Sequence, residues 1–149
     1  MKTSISCPHC GGVVTLYRNP IPTTDIIIMI DNAIVLIKRK NPPEGWALPG
    51  GFIDYGESAE AAAKREALEE TSLDLTDLKL FGVYSDPERD PRHHTLTVVF
   101  TAKAHRNPKA SDDAAEIGLF SGYRLPSPIA FDHAKIIDDF FAAKEQGRI

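Results

Sequence analysis

Cysteine is nearly absent from this chain: 149 residues contain two, alongside one tryptophan and two methionines. So few exclude a disulfide framework, and none is needed, because a domain of this length buries roughly two thirds of its unfolded surface. Long apolar runs are missing as well. Stretches such as Ile26 to Ile30 fall far short of the ~20 residues that carry a helix across a bilayer, so no membrane partner is expected. Met1 to Ser6 lack the apolar run of a secretory signal, and the cytoplasm is the expected compartment. Basic excess is lacking too. Lys and Arg number 17 against 21 Asp and Glu, for a formal charge of −4 and a pI near 5.7, which argues against unspecific binding to a nucleic-acid backbone. What is present, 42% hydrophobic and 26% charged residues, is the composition of one ordinary globular domain.

The two cysteines stand together, Cys7 and Cys10 in Cys-Pro-His-Cys-Gly-Gly. That is half of a zinc-ribbon knuckle, whereas a closed structural zinc site takes four ligands. Zn²⁺ at Cys7 and Cys10 would have to be shared across a dimer or completed by histidines, with His9 between the cysteines and His93 and His94 distant in sequence. The expectation is instead a remnant knuckle that binds nothing. A redox pair fits less well, since no strand precedes it and no helical pattern follows.

Residues 1–24 read as an N-terminal extension and residues 25–149 as a single α/β domain. Asp25 to Ile30 and Ala33 to Lys38 are expected strands, joined by a tight turn at Asp31-Asn32. Trp46 to Ile53 is a short extended piece broken by Pro49, Gly50 and Gly51. Ser58 to Thr71 is an expected helix, with Ser58 as N-cap and Glu60 in the first turn. Strands are expected at Lys79 to Tyr84, Thr95 to Ala104 and Glu116 to Tyr123. A closing helix over Phe131 to Lys144 carries an apolar stripe of Ile136, Ile137, Phe140 and Phe141. This mixture predicts a mixed sheet covered by helices.

On the first helix Glu66, Glu69 and Glu70 fall within about 100° of arc, so three carboxylates share one face. They repel unless something positive sits among them. Ala59, Ala62 and Ala63 leave room on that face for backbone to lie close, and the Gly50-Gly51 loop is the natural candidate. A loop carbonyl and helix carboxylates form an all-oxygen set suited to Mg²⁺ or Mn²⁺.

Gly51, five residues, Glu57, seven residues, then Arg65-Glu66-Ala67-Leu68-Glu69-Glu70-Thr71-Ser72-Leu73 strongly resembles the Nudix box. The likeness extends to Arg39 and to the Trp46-Ala-Leu-Pro-Gly-Gly lead-in. The one departure is Ser72, where the box carries glycine. The resemblance implies a Nudix-type α/β/α sandwich with a mixed β-sheet, hydrolysing a nucleoside diphosphate linked to another group. It implies Glu66 and Glu70 as principal metal ligands and Glu69 as a further ligand or catalytic group. The Gly50 carbonyl would complete the shell, Arg65 would orient the carboxylates, and Glu57 would support them. Glu116 is the expected second acid, serving as base or metal ligand, with Asp112 and Asp113 as alternatives.

Ser85-Asp-Pro-Glu-Arg-Asp-Pro-Arg92, followed by His93, is similar to the ADP-ribose pyrophosphatase branch. So is the Ala130-Phe-Asp-His133 run. By that likeness Arg39, Phe52, Asp86, Pro87 and Arg89 are expected to bind substrate. Arg89 and Arg92 would meet phosphate through bidentate donors, and Asp86 or Asp90 would accept from ribose hydroxyls. The expected reaction converts ADP-ribose to AMP and ribose 5-phosphate. Alternatives are hydrolysis of NADH or of modified nucleoside triphosphates and, in a different class, a non-catalytic ADP-ribose sensor. A homodimer is compatible with the likeness.

Overall fold

The computed structural model describes residues 2–109, 114–122 and 124–149. Its elements run β1 (Lys2–Ser6), β2 (Val13–Tyr17), β3 (Ile21–Ile30), β4 (Ala33–Arg39), β5 (Trp46–Ala47), β6 (Gly50–Phe52), α1 (Ala59–Thr71), β7 (Thr76–Tyr84), β8 (Thr95–Lys103), β9 (Ala114–Phe120) and α2 (His133–Glu145). A seven-stranded sheet has the order β5-β4-β3-β8-β7, with β6 paired to β3 and β9 paired to β4. The β3–β8 pair is parallel and the other pairs are antiparallel, so the sheet is mixed, as the pattern predicts. β1 and β2 form a separate two-stranded sheet, which the sequence pattern does not anticipate.

The central strands alternate between two buried faces. Ile26, Ile28, Ile30 and Val35 pack with Phe100 and Ala102 against Ala63 and Ala67 of α1. Ile27, Ile34, Leu36 and Val99 pack against Ile136, Ile137 and Phe140 of α2. β3 and β4 therefore read as near-continuous apolar runs, because helices cover both faces.

α1 begins where expected: the Ser58 hydroxyl accepts from the Ala61 amide at 3.2 Å. It ends at Ser72 in the left-handed region, φ 57°, whose amide donates to the Leu68 carbonyl at 2.9 Å. β3 starts at Ile21 rather than Asp25, because Ile21 to Thr24 pair with Thr95 to Val98 of β8. β7 likewise starts early, at Thr76. The α2 helix starts at His133 rather than Phe131, whose φ of 57° is incompatible with a right-handed helix. β9 ends at Phe120, and Tyr123 lies outside the described residues. No helix among them is long and apolar enough to cross a membrane.

Candidate active site

Pairing of β6 with β3 sets Gly51 opposite Thr24 and Gly50 opposite Asp25, directly beside α1. Close approach of backbone requires glycine at position 50, and glycine at position 51 leaves room for the Glu66 side chain. A Cβ at Gly51 would enter the Glu66 carboxylate, and one at Gly50 would collide with the Thr24 carbonyl and with Asp25. The Gly50 amide donates to Glu70 Oε2 at 2.9 Å. Buried Ala62 and Ala63 lie on the helix nearby, so small residues on α1 and glycines on β6 let strand and helix meet.

Arg65 organises the acids around it. Nε and Nη2 donate to the two oxygens of Glu57 at 3.0 and 2.9 Å, and Nη1 to Glu66 at 2.8 Å and Glu69 at 3.1 Å. A further bond from Nη2 to the Phe52 carbonyl at 3.0 Å accounts for all the guanidinium donors. The bonds to Glu57 and Glu66 raise the Arg65 pKa and, at Glu57, hold the carboxyl below its ordinary range. Glu66 moves the other way, because burial outweighs Arg65. Burial pushes Glu70 up to about 8, opposed by the Gly50 amide. Glu69 is exposed, with Arg65 as its partner.

Glu66, which shares Arg65 with Glu57 and Glu69, and Glu70, which accepts from the Gly50 amide, are thus half-buried acids crowded on one side of α1. This crowding fits a hard cation. Mg²⁺ uses one or two carboxylates together with water and phosphate oxygens and does not need a full protein cage. No cage of three ligating side chains occurs among the described residues.

Gly50 and Gly51 also line a cleft of about 190 Å³ between β3, β6 and the start of α2. Its cationic groups are Arg39, Arg89 and Arg92. The Arg39 and Arg92 guanidiniums stack on the Phe131 ring, 4.6 and 5.1 Å from its centroid. Arg39 donates to the Pro43 carbonyl at 2.9 Å, and burial, followed by the charge of Arg92, lowers its pKa. Arg92 forms a two-point pair with buried Asp90, at 3.0 and 2.8 Å.

Deeper in the cleft lies a polar cluster that sequence reading largely missed. Arg89 is buried and donates to Asp132 at 3.0 and 2.7 Å, to the Thr95 hydroxyl at 2.8 Å and to Asp25 at 3.5 Å. Asp25 also accepts from the Thr97 hydroxyl at 2.7 Å. His133 Nδ1 accepts from the Leu48 amide at 2.9 Å, and Nε2 stands 3.5 Å from Asp25 Oδ1. The ring is therefore neutral, with its hydrogen on Nε2, and burial pushes its pKa down. The available signal was a charged residue, Asp25, heading an otherwise apolar buried strand.

The expected substrate residues separate into groups. Arg39, Phe52 and Arg89 line the cleft, but the fork of Arg89 is already engaged by Asp132. Asp86 and Pro87 are not brought there. They sit on an exposed turn, where Asp86 Oδ1 accepts from the Glu88 amide at 2.8 Å, and Pro87 faces a shallower groove with Tyr17 and Ile21.

Glu116 is not brought beside the three glutamates either. Its neighbour Ile117 points to the α1 face, and β9 alternates. Glu116 therefore lies on the other face, with Phe120 and Trp46, 58% exposed and 3.5 Å from Lys38. Asp112 and Asp113 lie outside the described residues.

A mixed sheet between two helices, with a glycine loop against helix carboxylates, defines the Nudix fold class. A NUDIX domain family model matches residues 20–140. The chain is 48% identical to the ADP-ribose pyrophosphatase of Methanocaldococcus jannaschii over 87% of its own length and 78% of the relative. A NUDIX hydrolase from Nitrosomonas europaea superposes with a TM-score of 0.79 at 28% identity, covering 95% of this chain and 80% of that one. The NUDIX domain of Shewanella oneidensis NrtR, complexed with ADP ribose, gives a TM-score of 0.76 at 26% identity over 87% and 90% of the two chains. The chain belongs to the NUDIX domain family, and it is a hydrolase of that family.

Proposed function

We propose that this chain hydrolyses ADP-ribose to AMP and ribose 5-phosphate with Mg²⁺, or Mn²⁺, as cofactor. The observation that carries the reading is the contact of Glu66 and Glu70 with Gly51 and Gly50 at a cleft lined by Arg39 and Arg92. Similarity to an ADP-ribose pyrophosphatase supports the choice of substrate.

Glu66 and Glu70 are the proposed metal ligands, with the Gly50 carbonyl as a further proposed ligand. When bound, the metal offsets pyrophosphate charge and makes water acidic enough to act as nucleophile. Arg65 is a positioning residue that fixes Glu57, Glu66 and Glu69 through its five donors. Arg39 supplies positive charge where the pyrophosphate enters, Arg92 stands beside it with its fork held by Asp90, and Phe52 and Phe131 give the cleft apolar faces. Arg89 acts through Asp25 and Asp132 to hold the cleft wall. In the reaction one P–O bond of the anhydride breaks, the water oxygen joins that phosphorus, the bridging oxygen leaves with the other phosphate, and the two water protons pass to the phosphate products or to solvent. The free thiols of Cys7 and Cys10 suit a reducing compartment, and the cytoplasm is the proposed location.

A hydrolysis screen of nucleoside diphosphate sugars, NADH and nucleoside triphosphates, with and without Mg²⁺ and with products identified, tests this. AMP and ribose 5-phosphate from ADP-ribose are expected. A second reading, an ADP-ribose sensor, is favoured by the structural likeness to a domain complexed with ADP ribose. Binding of ADP-ribose without turnover in Mg²⁺ or Mn²⁺ would establish that reading instead.

A further inference from the structure

The N-terminal hairpin takes no part in the chemistry above. β1 and β2 pair from Lys2 opposite Tyr17 to Ser6 opposite Val13, and Cys7 to Gly12 form the tip. There the Cys7 amide donates to the Gly12 carbonyl at 2.8 Å and the Gly11 amide to the Cys7 carbonyl at 2.9 Å. Gly11 adopts φ 71°, which glycine takes without a side-chain penalty. The Cys7 sulfur accepts from the backbone amides of His9 and Cys10 and lies within hydrogen-bond reach of the Cys10 thiol. Two amides aimed at one sulfur, with a second sulfur beside it, preorganise a thiolate pair for a soft cation.

Zinc held by such a pair takes four ligands in a tetrahedron. No third His, Cys, Asp or Glu joins the two cysteines among the described residues. His93 and His94 share a groove with Tyr17 to Ile21, at the opposite end of β2. The length of β2 alone, Val13–Tyr17, is roughly 13 Å. A second copy of the tip supplies two further thiolates, which completes the set by symmetry. The hairpin surface points the same way. Val13 is 76% and Tyr17 68% exposed, and Ile5, Val14 and Leu16 are also exposed. Ile5, Val14 and Leu16 share one face of the hairpin and Val13 and Tyr17 the other. A lone two-stranded hairpin in water is marginal, and packing its Ile5, Val14 and Leu16 face against its own copy covers that face.

We infer that the hairpin tip is half of a Zn²⁺ site, closed by Cys7 and Cys10 of a second copy, so that one zinc ion clasps two chains. This departs from the remnant knuckle expected from the sequence. The reason is the arrangement of the tip, whose amides converge on Cys7.

The test uses the full chain, purified under reductant with Zn²⁺ and freed of excess metal. Elemental analysis is expected to give one zinc per two chains, and light scattering a dimer mass. Cys10→Ser should lose the zinc and run as a monomer. Its main thermal transition should be retained, because the hairpin is a sheet separate from the domain. Co²⁺ in place of Zn²⁺ should show the absorption of four thiolates. One zinc per chain, a monomer without zinc, or a dimer that survives Cys10→Ser would each overturn the inference. Zinc content is read without substrate, so it stands apart from the outcome of the hydrolysis screen.

Discussion

Arg89 and Asp132, 43 residues apart, meet in a two-point ion pair with Nε and Nη2 at 3.0 and 2.7 Å from the carboxylate oxygens. The pair ties the loop after β7 to the first turn of α2, and explains why Asp132 makes no side-chain cap to that helix. Replacing Arg89 with Met would leave Asp25 and Asp132 without the guanidinium that both accept from. Removing one partner of a buried pair costs about 3–5 kcal/mol, so equilibrium urea denaturation should show a loss of that size. Arg89→Lys keeps the charge but not the fork, and should recover only part of it. A loss under about 1 kcal/mol for Arg89→Met would show that the pair is not a structural tie.

Glu70→Gln should cut turnover by orders of magnitude in saturating Mg²⁺ while leaving the fold intact. The amide oxygen can still accept from Gly50, and burial already disfavours the charge at this position. The melting temperature without metal should therefore be unchanged or higher. Wild-type rates on every substrate of the screen would remove Glu70 from the metal site.

The helix, its acids and the glycine loop were legible because local spacing sets them: Ser58 caps α1, and Gly50 lies against the Thr24 carbonyl with no room for a side chain. The cluster of Asp25, Arg89, Asp132 and His133 was not, because its members come from four distant segments and no periodicity links them. For the same reason Arg89 read as a phosphate donor, although its donors are turned inward. Glu116 was expected at the start of a strand and lies within β9, but the face it occupies depends on the β4–β9 register, Lys38 opposite Glu116, which no local pattern sets.

His133 should subtract stability in mild acid, against Glu70, whose carboxyl, pushed up to about 8, takes up its proton in the fold first and adds stability as pH falls. The His133 pKa in the fold is lowered from 6.5, chiefly by burial. The unfolded chain then binds the proton first, so the contribution is complete above pH 6.5 and is lost as pH drops toward the folded value. Denaturation at pH 7.5, 6.5 and 5.5 should show the stability of His133→Asn rising relative to wild type as pH falls. A difference that stays constant with pH would mean that the ring is not held neutral.

Glu116→Gln should leave kcat and KM near wild type, since the side chain pairs with Lys38 on the face away from α1. The exposed pair should contribute under about 1 kcal/mol. A large fall in kcat at constant KM would restore the role of base to Glu116.

Ser72→Gly should stabilise the protein. The residue closes α1 at φ 57°, ψ 27°, a conformation that costs an L-residue roughly 1 kcal/mol and glycine nothing. Glycine also gives the unfolded chain more freedom, which opposes the gain and leaves about 0.5 kcal/mol or somewhat more. The Ser72 amide bond to Leu68 is a backbone contact and survives the change. Glu66 and Glu70 precede the helix exit, so turnover should be unaffected. A higher urea midpoint at unchanged slope is the expected result. A lower midpoint would mean that the serine hydroxyl stabilises this helix end by more than the left-handed backbone costs.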